Sequence, residues 1–230
     1  MITTEDLQGH WCRDWIKAPG FEDHTTRVHW MQAGDLYADI RVPLERPDLS
    51  GFTCLADVPP DLIAPLLKAE GVAGTIDVAD TRCTWAREIN WDGVPEVDDI
   101  GLMSFEDGAL IEDGVLADYR ELWQPMPAAP FRGHRVAFDG LAGSLVENDT
   151  EFLIGLGPVP APRRGLAAQF ASTYAYGHWT DTEGVATLST NPFCEGTVVL
   201  RRDGGFTWHA PSFDGHCTNH QLIAALPKET

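Results

Sequence analysis

Apolar and polar residues alternate with a period of two along most of this 230-residue chain. That is the repeat of a pleated strand with unlike faces. The clearest case is residues 25–43, TTRVHWMQAGDLYADIRVP, which reads as a hairpin turning at Ala33-Gly34-Asp35. Its second strand sets Leu36, Ala38, Ile40 and Val42 on one face and Tyr37, Asp39 and Arg41 on the other. Both faces carry groups that favour cover, so this strand is expected to be buried on two sides, by a helix or by a second barrel. The same alternation predicts strands at 10–17, 72–78, 82–90, 99–106, 109–112 and 117–124. A second series is predicted at 132–138, 143–147, 151–156, 169–178, 185–190, 197–201 and 206–210. Asp107-Gly108, Asp139-Gly140, Asn148-Asp149 and Asp203-Gly204-Gly205 supply turns between them.

Helical spacing is rare. Pro59-Pro60-Asp61 opens one helix over 60–70, with Leu62, Ile63, Leu66 and Leu67 on one face, a bend at Pro65 and a stop at Gly71. It would suit a lid over one barrel end. A short helix is also read at 219–226. Residues 44–58 read as a loop, and 157–165 as a Pro-rich loop carrying Arg163 and Arg164. Pro125, Pro127 and Pro130 cannot continue a sheet interior, so the chain divides into 1–126 and 127–230. Many short strands with Gly, Asp and Pro between them make the fold class all-β: two antiparallel β-barrels in tandem with one short helix. Glu70-Gly-Val-Ala73 recurs as Glu183-Gly-Val-Ala186. Thr84-Trp85 and Thr207-Trp208 follow them, an echo expected of two related barrels.

In the first half, aromatic and charged residues share strand faces. The rows are Trp11-x-Arg13-x-Trp15, Tyr37-x-Asp39-x-Arg41, Trp85-x-Arg87-x-Ile89 and Tyr119-x-Glu121-x-Trp123. If these faces point into one barrel, its interior holds Arg13, Arg41 and Arg87 against Asp39 and Glu121, one positive charge in excess. Guanidinium forks then offer donors to a carboxylate or phosphate, between Trp and Tyr walls. The alternative is a closed ion network that fixes strand register and binds nothing. Trp11, Arg13, Tyr37, Asp39, Arg41, Trp85, Arg87, Tyr119, Glu121 and Trp123 are therefore the candidate ligand-binding residues.

Composition narrows the partners. The net charge is −19, from 35 acids and 16 bases, and the lysines are Lys17, Lys68 and Lys228. Such a surface repels phosphate backbones and anionic headgroups, so neither nucleic acid nor membrane is an expected partner. An Ala- and Gly-rich acidic chain with Arg over Lys suits a bacterium with a GC-rich genome. Cys12, Cys54, Cys83, Cys194 and Cys217 are odd in number and scattered, which suits a reducing cytosol. The polar N-terminus is no signal peptide, and no apolar run is long enough to span a bilayer.

The segment from His209 to His220 gathers His209, His216, Cys217 and His220. On a helix, His216 and His220 would share a face and could hold zinc, but no complete ligand motif is present. His10, His24, His29 and His178 follow no ligand spacing, so no metal and no cofactor are expected. Asp98-Asp99 reads as a solvated turn. No nucleophile elbow, zincin or phosphate-loop signature appears, and catalysis would have to use Asp39 and Glu121 as an acid–base pair.

Trp11-x-Arg13, Val28-x-Trp30-x-Gln32 and Tyr37-x-Asp39-Ile40-Arg41-x-Pro43 resemble the HRI family of bacterial and fungal proteins, and Trp85-x-Arg87 and Tyr119-x-Glu121-x-Trp123 fit its bacterial branch. The resemblance is carried by the first half. It implies two lipocalin-like (calycin-like) β-barrels and brings no established activity or catalytic residue. The expected function is non-enzymatic binding of a small amphipathic or anionic molecule in the N-terminal barrel. The alternative is a protein-interaction scaffold with filled barrels.

Overall fold

The computed structural model describes residues 1–162 and 165–224. Nine strands form the first half: β1 (Gly9–Ala18), β2 (Phe21–Asp23), β3 (Arg27–Ala33), β4 (Leu36–Val42), β5 (Glu70–Ala79), β6 (Arg82–Asn90), β7 (Asp99–Glu106), β8 (Ala109–Gly114) and β9 (Arg120–Met126). They follow one another around the sheet, and β1 pairs back to β9, so eight close into an antiparallel barrel with β2 as a short flap on β1. Eight more strands make a second closed antiparallel barrel in chain order: β10 (Arg132–Phe138), β11 (Leu141–Glu147), β12 (Glu151–Gly157), β13 (Thr173–Thr180), β14 (Glu183–Ser189), β15 (Val198–Arg202), β16 (Phe206–Trp208) and β17 (His220–Ala224). Closure leaves neither barrel with an open edge.

The expected helix over 60–70 is shorter and broken. α1 spans Pro60–Ile63, a 3-10 turn follows at Ala64–Lys68, and β5 already begins at Glu70. Pro65 has no N–H to give the Asp61 carbonyl, so the α-helical ladder cannot continue. Ile63 and Leu66 sit in the seam between the barrels, so the segment is no lid over a barrel end. A second turn, α2 (Leu166–Gln169), replaces the start of the strand expected from 169. The helix expected over 219–226 is instead β17, which closes the second barrel against β10, while residues 225 and 226 lie outside the described residues. Leu222 is buried and Ile223 is 62% exposed, which is a strand's alternation. Arg163 and Arg164 also lie outside the described residues.

The Glu-Gly-Val-Ala echo does not mark equivalent positions. It starts the fourth strand of the first barrel, β5, but the fifth of the second, β14, and the Thr-Trp pairs fall on the fifth and seventh strands.

Among the described residues, apolar side chains form three clusters. One fills each barrel, and the largest lies between them. Met31, Ala38, Ile40 and Val42, on the outer faces of β3 and β4, meet Val146, Leu153, Tyr174 and Tyr176 of the second barrel, and Leu55, Val58, Ile63 and Leu66 join from the β4–β5 connection. This covers the second face of β4, as its sequence requires.

A glycine-dependent bulge shapes β6. Gly74 pairs with Arg87 and Ala73 with Ile89, so Glu88 is the extra residue. A Cβ on Gly74 would fall 1.9 Å from the Ala86 carbonyl oxygen, which excludes any larger residue there. Beyond the bulge the faces exchange. Trp85 points into the barrel, whereas Ile89 joins the inter-barrel cluster and Glu88 pairs with Arg135 of β10 at 2.5 Å. The expected row Trp85-x-Arg87-x-Ile89 is therefore broken after Arg87.

Candidate functional site

Strand direction sorts the interior of the first barrel into layers. The hairpins β3–β4, β5–β6 and β7–β8 turn at one end. There the 3-10 turn Thr4–Leu7 sets Leu7 beneath the Trp11 indole, which donates to the Leu7 carbonyl at 2.9 Å. Ile2, Leu7, Met103 and Leu110 make this end apolar. Above them lie Trp11, Trp30, Trp85 and Trp123. Trp30 meets the edges of Trp85 and Trp123 with ring centroids 5.9 and 5.7 Å apart. The opposite end is ionic.

In that ionic layer Arg13 donates to Glu121 at 2.6 Å and lies 3.5 Å from Asp23. Arg41 donates to Asp39 at 2.9 Å and is 3.9 Å from Glu121. Arg87 holds one oxygen of Asp99 through Nε at 3.0 Å and Nη2 at 2.6 Å. The Tyr119 hydroxyl donates to Glu112 at 2.6 Å. The candidate residues expected from the sequence share this barrel, and Asp23, Asp99 and Glu112, which were not among them, join their ionic layer. Asp99 is no solvated turn; it starts β7 and faces Arg87. Glu112 lay unseen because its neighbours on β8, Leu110 and Ile111, are apolar.

These additions reverse the expected charge balance. Five carboxyl groups (Asp23, Asp39, Asp99, Glu112, Glu121) stand against three guanidiniums (Arg13, Arg41, Arg87). Burial, with Glu121 nearby, pushes the Glu112 carboxyl well above the usual carboxylate range, so it stays neutral and relieves part of the excess. Burial also raises Asp39, although Arg41 opposes the shift. No surplus guanidinium is left for an anion. The free space among Trp30, Tyr37, Asp39, Trp85, Glu112 and Trp123 is about 20 Å³, which suits one water. Tyr37 and Trp123 line it, and among the described residues the Tyr37 hydroxyl and the Trp123 indole N–H have no hydrogen-bond partner.

More room lies outside this interior. A cleft of about 170 Å³ opens at the ionic end of the first barrel, lined by Arg13, Asp23, Arg41, Lys68 and Glu70. The β10–β11, β12–β13, β14–β15 and β16–β17 connections share one end, and an open cleft of about 330 Å³ lies there. Phe138, Phe170, Trp208 and Phe213 form its walls, with His216 and His220 at its edge. The helix that would have let these histidines share a zinc ion is absent. His216 sits 3.5 Å from Asp214, His220 contacts the Thr218 hydroxyl, and His209 bonds Asn219 at 2.6 Å. Further clefts lie beside Cys217 and at the N-terminal end of the first barrel.

A separate cluster unites histidines that have no sequence spacing in common. His10 and Cys12, two apart on β1, share its outer face, and His29 on β3 is the register partner of Cys12. His10 Nε2 lies 2.9 Å from His29 Nδ1, and Cys12 Sγ lies 3.6 and 3.4 Å from those two nitrogens. The other nitrogen of His10 is 3.0 Å from Glu151 of β12, and the Tyr176 hydroxyl donates to the same carboxylate oxygen at 3.0 Å. Tyr176 also stacks on His29 with centroids 4.2 Å apart. Burial drives His29 down to about 3, helped by His10, and raises Cys12 to about 11. The one-letter signal was H-x-C on one strand opposite a histidine on the next, legible only once the register is known.

No protein-family model and no curated protein matches the chain. The chain is similar to a solved structure, that of the uncharacterized protein YLR301w of Saccharomyces cerevisiae. It aligns with a TM-score of 0.58 and 11% sequence identity, over 94% of this chain and 98% of that one. At that identity the likeness shows the fold, which extends through both barrels. All five cysteines stand as free thiols, and among the described residues no helix is long and apolar enough to cross a membrane.

Proposed function

We propose that the protein is a non-enzymatic binding protein that takes a small amphipathic molecule at the mouth of its second barrel. The supporting observation is the aromatic lining of the cleft there: Phe138, Phe170, Trp208 and Phe213 wall about 330 Å³, whereas the first barrel holds about 20 Å³ among its tryptophans and about 170 Å³ at its charged mouth. Ligand sites are concave, mostly apolar and furnished with a few polar groups. Here the apolar body lies against Phe138, Trp208 and Phe213, and the polar end meets His216 and His220. Part of the same proposal is that the chain is an HRI-family protein with lipocalin-like barrels, bacterial and cytoplasmic; the tandem-barrel fold is what that resemblance implies.

Titration with fatty acids and aromatic carboxylates, read by tryptophan fluorescence, tests the binding. Phe138→Ala removes one wall, worth about 1.5–3 kcal/mol of burial or roughly a tenfold to hundredfold loss of affinity. Arg87→Ala in the first barrel should leave binding unchanged. A response that follows Arg87 instead returns the site to the first barrel. The second reading, a scaffold with filled barrels, is favoured by the packed Trp and ion layers. It stands if the panel gives no response and native mass spectrometry finds no co-purifying small molecule.

A further inference from the structure

We infer that His10, Cys12 and His29 form a binding site for a divalent d-block metal ion, zinc being the best fit, at the seam between the two barrels. A tetrahedral zinc with nitrogen at about 2.0–2.1 Å and sulfur at about 2.3 Å sets its ligand atoms about 3.3–3.6 Å apart. The two Cys12 edges, 3.4 and 3.6 Å, already match, and the His10–His29 edge of 2.9 Å needs only a few tenths of an ångström of opening. All three donors lie within 4.8 Å of one another. Two nitrogens and a thiolate are the borderline-soft set that zinc prefers over calcium or magnesium.

The surroundings fit a built site. Glu151 stands 3.0 Å from the far nitrogen of His10, out of line for a hydrogen bond; a small turn of the ring gives the carboxylate–histidine arrangement that fixes a metal-binding tautomer and aims the other nitrogen at the metal. Tyr176 holds Glu151 in place and covers the face of His29. His10 is buried, while Cys12 and His29 are half-buried, so a fourth position can open to water. On binding, the S–H bond of Cys12 breaks, its proton leaves to solvent, and the sulfur lone pair forms the metal bond. The ligands come from the first barrel and the positioning residue Glu151 from the second, so the metal would tie the two together.

The test uses tag-free full-length protein stripped with chelator and titrated with Co²⁺ and Zn²⁺. The expected result is one equivalent bound, with Co²⁺ giving tetrahedral d–d bands and a thiolate charge-transfer band that Zn²⁺ displaces. His29→Ala and Cys12→Ser should each weaken binding at least about a hundredfold, and Cys12→Ser should abolish the charge-transfer band. Glu151→Gln should weaken it about tenfold to a hundredfold while the metal-free melting temperature barely moves. If Cys12→Ser fails to fold, His29→Gln carries the same test. His24→Ala, at an exposed histidine remote from both sites, should leave the Co²⁺ bands and the stoichiometry unchanged, and so should His216→Ala and His220→Ala, whatever they do at the aromatic cleft. No stoichiometric binding at micromolar metal, or binding lost with His216 or His220 but kept without His29, overturns the inference.

Discussion

Glu112 and Glu121 stand directly opposite each other on β8 and β9, both buried inside the first barrel. Glu121 takes the Arg13 guanidinium at 2.6 Å, whereas Glu112 takes a neutral donor, the Tyr119 hydroxyl. Two facing carboxylates cannot both ionise cheaply away from water. The pair therefore divides its roles: Glu121 takes the guanidinium, while burial with Glu121 beside it holds the Glu112 carboxyl well above the usual carboxylate range.

Glu112→Gln should stabilise the protein at neutral and alkaline pH. The folded-state pKa of Glu112 is raised by burial and by Glu121, while the unfolded chain titrates near the ordinary value of about 4.3. Its contribution is complete below that unfolded value and is lost as pH rises through the folded one. Each unit of separation is about 1.4 kcal/mol. Gln stays neutral and can still accept from Tyr119. Urea midpoints at pH 4 and pH 8 check this: the gain should be clear at pH 8 and nearly absent at pH 4. An equal difference at both would mean that packing, not ionisation, governs the site.

Arg13→Met should be among the most costly substitutions in the ionic layer. The Arg13 and Glu121 side chains are only 6% and 2% exposed, so removing the arginine leaves a buried carboxylate without its main partner. Such losses are about 3–5 kcal/mol, and replacing both partners by apolar groups recovers most of them. The pair Arg201–Glu183, at 42% and 47% exposure, should be worth less than about 1 kcal/mol. Chemical denaturation of Arg13→Met, Arg13→Met with Glu121→Leu, and Arg201→Met separates the three cases. A double variant no better than the single would show that the ion pair is not the cause.

These contrasts mark how far the sequence could be read. Period-two alternation reveals strands wherever one face is wet. Of the three prolines expected to end the first sheet, Pro127 and Pro130 lie between β9 and β10, but Pro125 sits within β9 opposite Trp11, at the end of the strand. The interior rows were legible because Tyr37, Asp39 and Arg41 keep strict alternation. The row through Trp85 failed at Ile89, because a bulge shifts the faces without altering local composition. Asp99 and Glu112 were missed since an acid at a strand start, or after an apolar pair, looks the same whether it is solvated or turned inward. The His10–Cys12–His29 cluster needs the β1–β3 register, which no local pattern contains. The Pro65 break was visible as a bend, but it was strong enough to end the α-helix.

Gly71 and Tyr174 should show strong energetic coupling across the barrel seam. Tyr174 belongs to β13 of the second barrel, and Gly71 to β5 of the first. A Cβ built on Gly71 would lie 2.3 Å from the Tyr174 ring, and one on Gly155 of β12 would lie 2.7 Å from it. The ring is thus pressed between strands of different barrels, where only hydrogen atoms on Cα leave room. Gly71→Ala must push the ring or the strand away, an overpacking cost of about 1–3 kcal/mol. Tyr174→Ala alone should cost about 3–5 kcal/mol through the void it leaves. In the Tyr174→Ala background the added methyl has space, so Gly71→Ala should cost close to nothing there, or even stabilise by filling the void. The difference between the two backgrounds is the coupling, read from urea unfolding of all four proteins in a double-mutant cycle. If Gly71→Ala costs the same with and without the tyrosine ring, strain within β5 rather than contact between the barrels is what the glycine relieves.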